Sequence, residues 1–400
     1  MSVRMNTRML PVSFYYALIF MSAGAFSSYV GLYYSHIQLS GIQIGILTSV
    51  SAVIALFGQP FWGLVSDRSR LKNRVLAFCL LASAAGIWLI PLAGAYFGLL
   101  VLALGIFSFF QTAVNPLSDA ITLELASRHG ISFSRIRTVG SLGYALMSAV
   151  AGWIFQYQIQ SMFVLFSGLM LAALSLSFWV PPVEGHQSGK QKVRLFVLFK
   201  NPRLVCLYAY SFIIQMTMGF FFAFQAIYSE QKGISTSLIG LGLMIGSFSQ
   251  FPFMIFFDRI YRKFGMIPIL LFSGIIHAIR WALCAAWLNS HTILILWILH
   301  GGTYILFYLC LATYVNEEAI KELKASGQMM NSVITSGVSR IAGGIVGGIY
   351  VSNFGYASAF WTSAAVCAAA SAGLYGVWQG TTLFGTGSVS AKGISRESGQ

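Results

Sequence analysis

Recurring apolar runs constrain this chain more than any other feature. A helix that crosses a hydrocarbon core about 30 Å thick needs about 20 apolar residues. Twelve such runs follow one another, at residues 12–35, 43–65, 75–95, 97–124, 135–157, 160–181, 204–228, 236–258, 266–288, 291–315, 328–352 and 356–378. The fourth is overlong, as a crossing with a cytoplasmic helical extension would be. Hydrophobic residues make up 57% of the chain and charged residues 8%, against about 25% charged in soluble domains. A water-soluble body of this size would lack polar surface. With 15% aromatics, the composition is also the reverse of a disordered one. The expected class is an all-α membrane protein with twelve transmembrane helices.

The basic residues test that count. With the N-terminus cytoplasmic, the outward loops hold a single basic residue, Lys232. The inward loops hold Arg68, Arg70, Lys72 and Arg74, then Arg128, then a cluster from Lys190 to Arg203, then Arg259, Arg262 and Lys263, then Lys321 and Lys324. The tails add Arg4, Arg8, Lys392 and Arg396. This one-sidedness is the positive-inside pattern, and a missed helix would invert every later loop. It also explains the net charge of +14 without a nucleic-acid partner. The expected location is the cell membrane, multi-pass, with both termini cytoplasmic. The first apolar run is too long for a signal-peptide core and lacks a small-residue cleavage site, so it reads as the first span. Cys79, Cys206, Cys284, Cys310 and Cys367 all sit in apolar runs without CxxC or Cys/His spacing. They read as packing residues, with no metal and no cofactor expected.

A polar, basic linker after the sixth run divides the chain. The expected organisation is a six-helix bundle over 1–181, a cytoplasmic linker over 182–203, a second six-helix bundle over 204–378 and a disordered tail over 379–400. The halves share an element. The loop after run two reads Gly63-Leu-Val-Ser-Asp67-Arg68-Ser-Arg70-Leu-Lys72, and the loop after run eight reads Asp258-Arg259-Ile-Tyr-Arg262-Lys263. Each has an acid at a helix end followed by bases. Ordinary flanking charge accounts for it equally well as a conformational latch that joins neighbouring helix ends in one state of a rocking transporter. Its recurrence at one place in both halves favours duplication, and parallel repeats are a known transporter plan. The Gly63-x3-Asp67-Arg68 element and its basic cluster resemble the signature loop of the major facilitator superfamily, with Arg70 standing near the usual second glycine. The resemblance extends over all twelve runs and implies that superfamily's fold.

Ionisable groups inside spans are costly and functional by default. They are Asp119, Arg137, Arg280, His300 and Arg340, with His277 a weaker member. Helical spacing gathers them into stripes: Gln111, Asn115 and Asp119; Arg137, Ser141, Tyr144 and Ser148; His277, Arg280 and Cys284; His300, Tyr304 and Tyr308. Each stripe must face a bundle interior or water, since lipid offers no partner. Interhelical hydrogen bonding alone would explain the Ser and Thr members, His277 and Cys284. Asp119 and the three arginines point to function. Asp119 and Arg137 are natural partners. Arginine cannot shed its charge, whereas a carboxyl can take a proton; burial favours its neutral form and a nearby arginine its charged form. Alternating Asp119 between such surroundings would load and release a proton.

The segments Asn115-Pro-Leu-Ser-Asp119-Ala and Ser134-Arg135-Ile-Arg137-Thr-Val-Gly140-Ser-Leu-Gly143-Tyr144 resemble the oligosaccharide:proton symporter branch, the lactose permease-like proteins. They resemble its phenylpropionate permease-like relatives more closely still. The resemblance implies that Asp119 and Arg137 bind substrate, that Tyr144 is the platform for a sugar ring, and that Arg280 and His300 match a coupling arginine and histidine. Thr303 and Ser247 stand where the branch carries acids, which leaves Asp119 as the deeply placed proton carrier.

The expected function is secondary active transport: proton-coupled uptake of a small polar solute, a sugar or oligosaccharide, by alternating access and without enzyme activity. Asp119, Arg137, Tyr144, Asn115, Gln111, Arg280 and His300 would bind substrate, with Asp119, Arg280 and His300 coupling protons. Gly63, Asp67, Arg68, Asp258 and Arg259 would form the latch. The expected partners are the solute, H+ and the bilayer, around a monomer. Uptake of an aromatic or sugar acid, uptake of a nucleoside and efflux of drugs are the alternatives. Gly337, Gly343, Gly344, Gly347 and Gly348 permit close approach of the eleventh helix to a neighbour.

Overall fold

The computed structural model describes residues 10–185, 202–318 and 331–380. Within them lie twelve apolar helices: α1 (Leu10–His36), α2 (Gly41–Arg68), α3 (Lys72–Ala93), α4 (Phe97–Arg128), α5 (Phe133–Phe155), α6 (Ser161–Ser177), α7 (Pro202–Gln231), α8 (Thr236–Phe264), α9 (Met266–Trp287), α10 (Ile293–Val315), α11 (Val333–Phe354) and α12 (Tyr356–Gly380). All but α6 are long and apolar enough to cross a membrane. The 17 residues of α6 span about 26 Å at 1.5 Å per residue. That helix ends before residue 181 because Pro181 and Pro182 follow, and the residue before a proline avoids helical geometry. Conversely, α4 runs past 124 to Arg128. A Glu124–Arg128 pair one turn apart, 2.6 Å long, supports the extra turn. Gly130, at φ +64, then ends the run. The basic residues Lys190–Lys200, Lys321, Lys324 and both tails lie outside the described residues.

The two halves pack alike. In the first, α1 lies on α5, α2 on α4 and α3 on α6; in the second, α7 lies on α11, α8 on α10 and α9 on α12. Between halves, α2 packs on α11 and α8 on α5, so the equivalent helix makes the equivalent seam. This is the parallel two-bundle repeat. Local chemistry repeats with it. Ser40 caps α2 by accepting from Gln43 N, and Ser235 caps α8 by accepting from Leu238 N. Five residues after each cap comes a seam glycine. A Cβ on Gly45 would strike the Gly344 carbonyl, and one on Gly240 would strike the Ser148 carbonyl. The α11 glycines divide between two neighbours, with Gly343 and Gly347 against α7 and Gly344 and Gly348 against α2.

Both seams lie toward the helix ends away from the basic loops. Gly41 meets Gly348, Gly31 meets Ala223, and Ser49 Oγ donates to the Ile341 carbonyl at 3.2 Å. At the tip of that end, His36 Nε2 meets both Glu230 oxygens at 2.9 and 3.0 Å, tying α1 to α7. Among the described residues the halves are therefore joined at this far end.

Several of these helices depart from regular α geometry. Helix α1 loosens at residues 27–29, α8 at Ser249, and α10 and α11 carry wide turns at Gly301–Ile305 and Val333–Val338. Freed backbone groups inside a membrane need partners from neighbouring helices. Gly301 N finds one, donating to Ser249 Oγ at 2.9 Å, so the breaks in α8 and α10 meet.

Candidate functional site

Asp119 sits on α4 between α1 and α5. Tyr16 of α1 donates its hydroxyl to Oδ1 at 2.6 Å. The Arg137 guanidinium of α5 stands 3.6 Å from Oδ2. Tyr16 reaches the acid because Gly140 on α5 has no side chain: a Cβ there would meet the Tyr16 ring at 2.7 Å. The ring is braced by Phe20, with centroids 4.9 Å apart. The Arg137 contact is longer than a charge-assisted hydrogen bond of about 2.7–2.9 Å. Both side chains are open, Asp119 at 37% and Arg137 at 52% exposure. One carboxylate oxygen is thus fixed and the other is loosely held and accessible.

The α4 stripe is graded rather than uniform. Asn115 is exposed and Gln111 half-buried, with its carbonyl oxygen buried and without a hydrogen-bond partner among the described residues. On α5, Tyr144 shares a hydrogen bond with Ser28 at 2.9 Å, made possible by the loosened turn of α1. Ser148 is a packing residue, since its hydroxyl donates to the Tyr144 carbonyl of its own helix.

The second half differs from expectation. Arg280 is 1% exposed and stays inside its own bundle. Its Nε donates to the Leu296 carbonyl at 3.0 Å and Nη1 meets His300 Nδ1 at 3.0 Å. Its guanidinium lies over Phe221, Trp297 and Trp281, at 4.4, 5.0 and 5.1 Å from the ring centroids. A caged guanidinium is held by ring quadrupoles without a carboxylate. Arg280 and His300 therefore meet each other, but the network they were expected to complete with Asp119 is not formed among the described residues. His277 is also internal, with Nδ1 on the Ser273 carbonyl at 2.8 Å. Ser247, where the branch has an acid, bonds its own helix backbone at Leu243.

Arg340 takes the opposite position. It is exposed, and its guanidinium lies 5.3 Å from the Phe222 ring.

The latch residues sit apart. Asp67 is half-buried, while Arg68, Asp258 and Arg259 are exposed. Asp67 shares with Gly63, Ser66 and Lys72 a crevice of about 110 Å³ between α2 and α4. No ion pair joins the two acid–base elements among the described residues. That agrees with halves joined at the opposite end.

The chain matches the MFS_1 like family over residues 9–362. It belongs to that family of major facilitator transporters. It is 31% identical to a maltose permease of Geobacillus stearothermophilus over 68% of this chain and 70% of that one. It is 26% identical to a probable 3-phenylpropionic acid transporter of Escherichia coli, over 78% and 83% of the two chains. The crystal structure of the nucleoside transporter NupG superposes with a TM-score of 0.83 at 18% identity, covering 94% of this chain and all of that one. That likeness shows the fold. In this multi-pass membrane transporter, Tyr16 is the site residue that sequence reasoning missed. It carries no charge and lies in an apolar run; the one available signal was a phenol within that run.

Proposed function

We propose that the protein is a proton-coupled symporter. It carries a small polar, ring-bearing solute into the cell by alternating access, with sugars and oligosaccharides the first class to test. The observation that carries this reading is the open Asp119–Arg137 pair braced by Tyr16. A carboxylate with one fixed and one accessible oxygen accepts solute hydroxyls when charged and holds a proton when neutral. The guanidinium beside it favours the charged state, and separation from that guanidinium favours the neutral one. The match to a maltose permease supports the sugar class.

In this reading the bundles over 1–181 and 204–378 rock against each other, and the basic loops face the cytoplasm with both termini. The conformation joined at His36 and Glu230 is then the inward-facing one. The acid–base elements at Asp67–Arg68 and Asp258–Arg259 engage only when the cytoplasmic ends close. The test is a substrate screen in proteoliposomes holding a pH dye, with an imposed inward proton gradient. Sugars, nucleosides and ring-bearing acids are compared. The proposal requires gradient-driven accumulation of at least one solute, with acidification of the lumen. Solute flux indifferent to the proton gradient would refute symport.

A further inference from the structure

We infer that Arg340 is a carboxylate receptor, and that the solute is a ring-bearing monocarboxylate. This rests on the proposed reading for the site's place between the halves, and sharpens the solute's charge.

Three intramembrane arginines have three different fates. Arg137 is answered by Asp119. Arg280 is consumed inside its bundle by rings, the Leu296 carbonyl and His300. Arg340 is exposed and makes no ion pair among the described residues. Among the described acids, Asp119 is engaged by Tyr16 and Arg137, Glu124 by Lys72 and Arg128, and Glu230 by His36, while Asp67 and Asp258 stand in the latch elements at the ends of α2 and α8. An arginine cannot neutralise itself, and an unanswered charge at membrane depth marks a ligand path.

Its position is set by packing rather than by chance. Gly219 on α7 lets α11 approach so closely that a Cβ there would stand 2.9 Å from the Arg340 Cα. The wide turn of α11 ends immediately before, at Val338; such turns recur at functional sites. Around the guanidinium stand rings. Phe222 lies 5.3 Å away and meets the His300 ring edge-on at 6.2 Å, and Tyr304 stacks on that imidazole at 5.7 Å and 9°. One residue on, the Ile341 carbonyl accepts from Ser49 of the first half, so the group lies beside the seam between the halves. A planar guanidinium takes a carboxylate through two parallel hydrogen bonds. Phenol faces beside it suit a ring. A carboxylate on the solute's ring, as in a sugar acid, would answer this charge.

The test is equilibrium binding to the purified full-length protein. The probes are 3-phenylpropionate and glucuronate, each against its neutral counterpart, 3-phenylpropanamide and glucose. At least one acid should bind ten-fold or more tightly than its counterpart. The better acid identifies the ring as aryl or sugar. Arg340→Gln should weaken that acid about 10–100-fold and bring it level with the neutral compound. Arg340→Lys, which keeps charge but not the fork, should weaken it less. Acids bound no better than their counterparts, or bound equally by wild type and both folded variants, would overturn the assignment. Binding needs no proton gradient. An Asp119→Asn protein that still concentrates solute would therefore refute the symport reading while leaving Arg340 untouched.

Discussion

The Tyr16 hydroxyl is the strongest hold on the Asp119 carboxylate, at 2.6 Å against 3.6 Å for Arg137. A hydrogen bond to a charged group contributes about 1.5–3 kcal/mol. Tyr16→Phe should therefore weaken solute binding at least ten-fold in an equilibrium assay, with the protein still folded. Unchanged affinity would show that the phenol only packs. Arg280 calls for the opposite expectation. A desolvated guanidinium stacked on rings contributes about 2 kcal/mol or more, and its hydrogen bonds add to that. Arg280→Met should lower the melting temperature of the purified protein by several degrees. Solute affinity at Asp119 should change less than three-fold, because Arg280 makes no direct contact with Asp119, Arg137 or Tyr16 among the described residues. A large loss of affinity at unchanged melting temperature would place Arg280 in the solute site after all.

At the level of elements, the proposed rocking makes the far-end seams the contacts that must open and close. Gly45 and Gly344 touch backbone to backbone, and backbone cannot move aside as a flexible side chain can. Gly45→Val should penalise the closed seam by about 1–3 kcal/mol, the usual cost of overpacking. Nitroxide labels near the far ends of α2 and α11, at positions 42 and 352, would then report longer distances by pulsed electron resonance. An unchanged distance distribution would contradict the gating role. The His36–Glu230 tie is more exposed, at 40% and 36%, and such pairs contribute about 0.2–1 kcal/mol. Glu230→Gln should therefore shift the same distribution only slightly. The helices themselves were legible in sequence, because a bilayer allows no short cut: a run of some 20 apolar residues has few other uses. Their breaks were not. The Ser249 hydroxyl accepts the freed Gly301 N–H across two helices, and nothing local to either residue signals the partner.

Across the whole molecule, the duplicated architecture follows from features the chain displays openly. Alternating loop charge and a repeated acid–base element pointed to two bundles, and the packing pairs repeat in both halves. The site was half legible. Charge at helical spacing singled out Asp119, Arg137, Arg280 and Arg340, since a formal charge in a span stands out against its neighbours. Spacing, however, says which residues share a face and not what the face meets. Arg280 shares a stripe with His277 and Cys284, yet Phe221, Trp281 and Trp297 from three helices close over it. Tyr16 carried no charge to betray it. Asp119 is the group proposed to take up and give back the proton. The most direct measurement compares wild-type and Asp119→Asn proteoliposomes holding a pH dye, each given an inward gradient of transported solute. Solute should acidify the wild-type lumen, while Asp119→Asn exchanges solute across the membrane without any change in dye signal. Acidification of equal size in the two would contradict the account.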